Sequence, residues 1–277
     1  MDFYLGIDIG TSRVKAVLFD EHFQARASAA ESTGPRLSAN GHAEQDMAQL
    51  WQSVMAILQQ IARQPELKTG RLRAIGLAGQ GEGVWLSDAE GEPVGPGILW
   101  SDTRSRELMS ELLRRPGFDR RFFSDTGTHL QPCNTSMQLS WLRHYQPERL
   151  AQAHYLFFAK DWVRFRLTGV AALDFTDAST SLLNQHSGEL SEVVLNEMGL
   201  ADLQHLFPPR LAPMRRPARC AMRSPPSPDS PPPRRWPPGR STCAAPRWAA
   251  ERSTMAISTP FSVPPAVPGL SATVARR

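Results

Sequence analysis

Hydrophobic and polar positions alternate strictly at the start of the chain. Leu5, Ile7 and Ile9 alternate with Gly6 and Asp8, and Val14, Ala16 and Leu18 alternate with Lys15, Val17 and Phe19. A period of two predicts two short strands, and the scarcity of polar interruptions suits strands covered on both faces. Gly10-Thr11-Ser12 lies between them as a turn, and residues 23–32 predict a third strand. From residue 47 the period changes. Met47, Leu50, Val54, Ile57, Leu58 and Ile61 recur at helical spacing, and Asp46 with Gln49 three residues on has the form of a capping box. The apolar runs 73–79 and 84–88 read as a strand pair separated by Gln80-Gly81-Glu82-Gly83. The run 96–100 reads as a further strand that ends abruptly in Ser101-Asp102-Thr103-Arg104. Segment 106–121 predicts a helix with a solvated face, a loop from Thr126 to Asn134 leads into a helix over 137–142, and 160–168 predicts a helix closed by Gly169. Residues 174–183 read as a loop rich in helix-capping hydroxyls, and 190–206 as the last amphipathic segment.

Two of these loops carry candidate chemistry. Gly10 lets backbone approach a ligand closely, and Thr11 and Ser12 add hydroxyls to main-chain N–H donors that can cradle an anion. Asp8 would repel a phosphate, but it can hold Mg²⁺ or its waters against phosphoryl oxygens. The same Asp-x-Gly-Thr run also suits a plain hairpin whose loop requires glycine. At Gln80-Gly81-Glu82 an amide and a carboxylate stand among small residues at a strand end, where they can face a ligand or simply form a polar turn. Asp102 and Arg104 project one way from a strand end and either pair with each other or meet a ligand. The glycine spacing fits neither a Walker loop nor a Rossmann fingerprint.

Composition divides the chain. Of 24 prolines, 17 lie from Pro208 onward, and the last 64 residues hold 11 Arg, no Lys and only Asp229 and Glu251 as acids. Residues 1–213 carry a net charge of −5 against +9 for the tail, so the overall +4 belongs to the tail. The body gives no electrostatic reason to expect nucleic-acid binding. Cys133, Cys220 and Cys243 show no paired spacing, which fits neither a zinc site nor a disulfide framework and is compatible with a reducing cytoplasm. No apolar run approaches the roughly 20 residues of a membrane span, and the N-terminus lacks the form of a signal peptide, so the expectation is a soluble, unexported protein.

The opening Gly6-Ile-Asp8-Ile-Gly10-Thr11-Ser12 run resembles the first phosphate loop of the actin-like ATPase fold, and specifically that of the FGGY carbohydrate kinases. Further segments resemble the same family in the same order: Gln80-Gly81-Glu82, Trp100-Ser-Asp102-Thr-Arg104, Thr126-Gly-Thr-His-Leu130, Lys160-Asp161 through Leu167-Thr-Gly169, and Thr176-Asp177-Ala-Ser-Thr-Ser181. The resemblance implies an α/β, ribonuclease-H-like N-terminal domain over residues 1–211, with a mixed sheet and flanking helices. It implies transfer of the γ-phosphoryl of ATP, with Mg²⁺, to a hydroxyl of a sugar or polyol. Asp8, Gly10, Thr11 and Ser12 would meet the phosphates, with Asp8 as the metal residue. Gln80, Gly81, Glu82, Asp102 and Arg104 would line the substrate side, with His129, Gln131 and Asn134 as further candidate hydroxyl partners. Lys160, Asp177 and their neighbours are implied as structural support for the cleft. The motifs look most similar to erythritol and L-xylulose kinases, and Gly81-Glu82 stands where xylulokinases carry Met-His. The resemblance also implies a homodimer for the intact family member.

In that family the general base is an aspartate of a second domain, in a Gly-x-x-Asp context, and the adenine binds there too. Here the resemblance ends near residue 211. Over 212–277 apolar periodicity disappears, and Asp229 stands in a proline run with no glycine near it. Such a composition buries too little surface to offset the cost of ordering. The tail reads either as a disordered segment or as the out-of-frame product of a GC-rich gene, since off-frame GC-rich codons yield Arg, Pro, Ala, Ser and Gly with almost no Lys. The expectation is therefore a chain that is inactive alone, the alternatives being a non-catalytic polyol- or phosphate-binding fragment and a pseudogene product.

Overall fold

The structure is a computed structural model and describes residues 1–211. The segment 212–277, expected above to be disordered or out of frame, lies outside the described residues.

Strands β1 (Asp2–Ile9) and β2 (Arg13–Asp20) form an antiparallel hairpin in which Ile9 faces Val14 and Asp8 faces Lys15. Strand β3 (Ala25–Ser32) adds antiparallel to β2 after a turn in which Phe23 adopts a positive φ of 56°. Phe3, Leu5, Ile7, Ile9, Val14, Ala16 and Leu18 are core, whereas Asp8 and Lys15 are exposed. The hairpin is thus covered fully on one face only, which corrects the expectation of two covered faces and is what strict alternation ordinarily signifies.

Short strands β4 (Arg36–Leu37) and β5 (Ala43–Gln45) lead into α1 (Met47–Ala62). Asp46 caps α1, its carboxylate accepting from Gln49 N at 3.0 Å, and the predicted apolar stripe is buried against β2 and β3. Each such side chain fully removed from water contributes roughly 1.5–3 kcal/mol before entropy is counted. Helix α2 (Glu66–Thr69) returns the chain to β6 (Arg71–Gly79), which lies parallel to β1 with Ile9 opposite Gly79. The mixed sheet therefore runs β3-β2-β1-β6.

After β6 the chain leaves this sheet. Strand β7 (Trp85–Ser87) is not a partner of β6, because residues 80–83 carry it into a separate ladder. Strand β8 (Gly97–Ile98), the paired part of the apolar run 96–100, pairs with β5, and its Ile98 also bridges Val84. Segment 106–121 is two helices, α3 (Arg106–Leu113) and α4 (Phe118–Thr126). Pro116 and Gly117, the latter at φ 72°, interrupt the run, and Phe118 and Phe122 are fully buried, so the expected single solvated helix is corrected. Then follow α5 (Thr135–Tyr145), α6 (Pro147–Gln152), β9 (Tyr155–Phe157), which pairs with β7, and α7 (Ala159–Thr168), which packs against β6 and ends at Gly169 with φ 71°. Residues 174–183 are not all loop. Strand β10 (Leu173–Asp174) and helix α8 (Phe175–Ala178) open the segment, and β10 pairs in parallel with β11 (Arg210–Leu211). The segment 190–206 forms a π-helical turn at Val193–Glu197 and a 3₁₀ turn at Ala201–Leu206.

Candidate active site

The carboxyl ends of the parallel strands β1 and β6 lie side by side, tied by Gln80 N donating to Ile9 O at 3.0 Å. Such strand ends are where open α/β sheets bind ligands. The turn Gly10-Thr11-Ser12 and the loop Gln80-Gly81-Glu82 are therefore neighbours, although 69 residues separate Thr11 from Gln80. Gly10 is required by local geometry. Its N–H donates to Arg13 O at 3.2 Å, and a Cβ at this position would lie 2.7 Å from the same oxygen. Ser12 is exposed and Thr11 half-buried. The Thr11 hydroxyl donates to Gln80 Oε1 at 2.8 Å and accepts from Trp100 Nε1 at 3.0 Å.

Glu82 has a positive φ of 52° and Gly83 one of 90°. A Cβ on Gly83 would come within 2.4 Å of Ile98 O, so glycine alone fits there. Glu82 tolerates its unfavourable backbone because its carboxylate is held by groups from two other segments. Oε1 accepts from Asn134 Nδ2 at 2.9 Å. Oε2 accepts from Thr135 N and Oγ1, both at 2.8 Å, and from Ser181 Oγ at 3.1 Å. Asn134 in turn accepts from Gln131 N at 2.6 Å, which fixes the loop entering α5. His129 stands apart, stacked on Phe123 and 3.5 Å from Asp119. Burial pushes the Cys133 thiol up, which keeps it protonated and unreactive.

Beneath the loop, Lys160 on α7 donates to Asp177 on α8. A Cβ on Gly81 would lie 3.2 Å from Asp177 Oδ1, and one on Gly79 would lie 3.2 Å from Lys160 Cβ. The small residues flanking Gln80 thus let this ion pair sit directly against the loop. Burial outweighs the attraction of the Lys160 ammonium and pushes the Asp177 carboxyl up to about 6.

Asp102 and Arg104 form a buried unit. Arg104 Nε and Nη2 reach the two Asp102 oxygens at 2.9 and 2.8 Å, and Nη2 also donates to Glu44 at 2.7 Å. Asp102 further accepts from Ala43 N at 2.6 Å and from Arg104 N at 2.9 Å. The guanidinium stacks 4.9 Å from the Trp141 ring centroid. Of the two alternatives read from the sequence, the pairing of Asp102 with Arg104 is present, and it anchors β5 to the residues after β8.

Asp8 is exposed at the end of β1. Among the described residues no three His, Cys, Asp or Glu side chains gather as a metal site. Magnesium bound to phosphates keeps several waters and takes one or two carboxylates, so a single exposed Asp8 beside the Gly10-Thr11-Ser12 turn would be a chemically sufficient protein contribution. An open groove of about 990 Å³, lined by Gly127, Phe175, Gln185 and Phe207 among others, does not include Gln80 or Glu82. The strand-end geometry, not this volume, points to the candidate site. Trp100, 51% exposed for all its apolar surface, and Gln45, buried beside α1 and bonded to Gln80, complete the candidate site.

Residues 3–215 match the model of the FGGY family of carbohydrate kinases, N-terminal domain. The chain is 32% identical to a probable L-xylulose kinase of Pasteurella multocida (strain Pm70), with 76% of this chain and 44% of that protein aligned. It is 33% identical to the erythritol kinase of Brucella abortus (strain 2308), over 75% of this chain and 40% of that protein. It thus spans less than half the length of these relatives. Among solved structures it is similar to a xyloylose kinase from Brucella ovis, with a TM-score of 0.74, 27% identity, and coverage of 93% of this chain and 48% of that one. A ligand-bound xylulose kinase from Lactobacillus acidophilus shares the fold with a TM-score of 0.71 at 24% identity, over 78% of this chain and 43% of that one. The mixed β3-β2-β1-β6 sheet with its helices is accordingly the ribonuclease-H-like unit of the actin-like ATPase fold, and the chain belongs to the FGGY family of carbohydrate kinases.

Proposed function

We propose that residues 1–211 form the phosphate- and hydroxyl-binding half of an ATP-dependent kinase acting on a small polyol or ketose of the erythritol or L-xylulose type. The observation that carries this reading is the 2.8 Å bond between Thr11 Oγ1 and Gln80 Oε1, which joins an anion-cradling turn to a loop of amide and carboxylate groups. Phosphoryl transfer to a hydroxyl needs the phosphate site and the hydroxyl site next to each other, so that the reacting atoms come within roughly 3–3.5 Å, because catalysis in this reaction is chiefly positioning and charge stabilisation. In this reading Ser12 and the turn amides orient the terminal phosphate, and Asp8 holds Mg²⁺. The exposed face of the Trp100 indole and the outward edges of Gln80 and Glu82 receive the polyol. Magnesium, when bound, neutralises charge on the phosphoryl oxygens. The attacking hydroxyl forms the new O–P bond as the β–γ bridge breaks and ADP leaves, and its proton passes to a general base.

In this reading the base does not come from this chain. Asp229 and Glu251 are the carboxylates of the tail, and neither stands in the Gly-x-x-Asp context implied by the resemblance. The 277-residue chain on its own accordingly binds without turning over, since general-base assistance contributes roughly 10²–10⁴-fold and positioning of the nucleotide more. This reading assigns the chain to the reducing cytoplasm; among the described residues no helix is long and apolar enough to cross a membrane. The test is ADP release from MgATP by the purified chain with erythritol, L-xylulose and D-xylulose. No release above background is expected. Turnover near the ~1 s⁻¹ at the lower end of ordinary enzymes would show that the chain supplies its own base.

A further inference from the structure

The side chains between the turn and the loop form a hydrogen-bond chain whose polarity has a single origin. Gln45, at the end of β5, is 1% exposed. Its Nε2 donates to two main-chain carbonyls, Thr11 O at 3.1 Å and Thr33 O at 2.9 Å. Carbonyls only accept, so the amide cannot flip without setting an oxygen against two oxygens, and Oε1 must point the other way. There it accepts from Gln80 Nε2 at 2.9 Å. With its nitrogen so committed, Gln80 turns Oε1 toward Thr11 and accepts the hydroxyl proton at 2.8 Å. The Thr11 hydroxyl has one proton, now used, and its lone pair accepts from Trp100 Nε1 at 3.0 Å. Each donor and acceptor assignment as far as the Thr11 hydroxyl follows from the one before it, and the indole N–H, a donor in any case, takes the lone pair left there.

We propose that Gln45 is a positioning residue that sets the orientation of the Gln80 amide, the Thr11 hydroxyl and the Trp100 indole together. Resting on the reading of Thr11 as part of the phosphate turn and of Gln80 as part of the polyol loop, this makes Gln45 the element that fixes the register of the two substrates. The consequence is specific. The Thr11 proton points into the loop and away from the turn's open side, so the turn offers anions its backbone amides and Ser12. Gln80 keeps one N–H and one oxygen lone pair for a polyol, in a fixed order along its edge. Trp100, 55 residues from Gln45 in sequence, is held upright at the same surface by the far end of the chain of bonds. A purely structural Gln45 would stabilise β5 and the turn without dictating the state of the indole.

The test follows the Trp100 indole N–H of the ¹⁵N-labelled full chain by NMR, with the peak assigned by its loss in Trp100→Phe. Gln45→Met keeps the volume but removes the donor and acceptor. In it the Trp100 peak should shift and its exchange with solvent should rise about tenfold or more. Leu58→Ala, in the buried stripe of α1, serves as a control that lowers stability without touching the chain of bonds, and its Trp100 peak should stay in place. If Gln45→Met does not fold, Gln80→Met in the half-buried loop must move the Trp100 peak in the same way. A folded Gln45→Met, or failing that Gln80→Met, with an unmoved Trp100 peak overturns the proposal. These spectra are taken without ligand, so a failure of the kinase reading, seen as absence of polyol binding, would leave their outcome independent.

Discussion

Asp177 is the residue at which burial and pairing oppose each other most plainly. Its partner Lys160 favours the ionised form, but desolvation is the larger effect and raises the carboxyl from 3.8 to about 6. A raised carboxyl binds its proton more tightly in the folded chain than in the unfolded one. Its contribution therefore becomes more favourable as pH falls from about 6 toward 4, opposite to a salt-bridged carboxylate with a lowered value. At 1.36 kcal/mol per unit, the stability of wild type relative to Asp177→Asn should rise by about 2 kcal/mol between pH 7 and pH 4.5. Urea unfolding of both proteins at the two pH values measures this difference. A gap that stays constant or shrinks on acidification would mean that Lys160 dominates. The same scale shows what was legible in the sequence. Thr11, Gln80 and Glu82 stood out because their segments resemble family motifs; as a bare pattern, polar side chains among glycines at strand ends suit a plain turn equally well. No contact of Trp100 or Gln45 could be read from the sequence, since an apolar residue closing a strand and an amide before a helix look ordinary by themselves. Their role depends on bonds across 89 and 35 residues, to Thr11 and Gln80 respectively.

Among the elements, those with a strong period were readable, and those interrupted by backbone chemistry were less so. The hairpin, β6 and α1 follow their predicted spans closely because alternation and the Asp46 cap act locally. The split of 106–121 at Pro116-Gly117 could have been anticipated from proline alone, whereas the burial of Phe118 and Phe122 depends on what packs over α4. Segment 190–206 departs from helical period through π and 3₁₀ turns that no 3.6-residue pattern encodes. The helix-ending glycines allow a direct comparison. Gly169 and Gly127 both end helices in the left-handed region, at φ 71° and 75°. A Cβ at Gly169 meets nothing within 4 Å, but one at Gly127 would lie 2.8 Å from Gln185 Oε1. Gly169→Ala should therefore cost only the backbone penalty, about 1–2 kcal/mol. Gly127→Ala should cost that amount plus displacement of Gln185, whose N and Nε2 tie it to Asp125 O and Ser124 O. Thermal unfolding of the two variants reads the difference. Equal losses would show that Gln185 yields freely and does not hold the start of the 127–134 loop.

At the scale of the whole molecule, the fold brings four distant segments to one edge of the sheet. The turn after β1, the loop after β6, Trp100 after β8 and the Asn134–Thr135 entry to α5 meet there, each held by side-chain bonds to another. On the proposed reading this end of the sheet is a polyol-binding surface in its own right. That reading is tested most directly by titrating erythritol and L-xylulose into the ¹⁵N-labelled chain and mapping which amide and indole signals move. Saturable shifts should concentrate at Gln80 to Gly83, at Asn134 and Thr135 and at the Trp100 indole, and should disappear in Glu82→Ala while the rest of the spectrum remains folded. Spectra that stay unchanged up to tens of millimolar polyol, where even a weak site of about 1 mM affinity, roughly −4 kcal/mol, would be filled, would contradict the account.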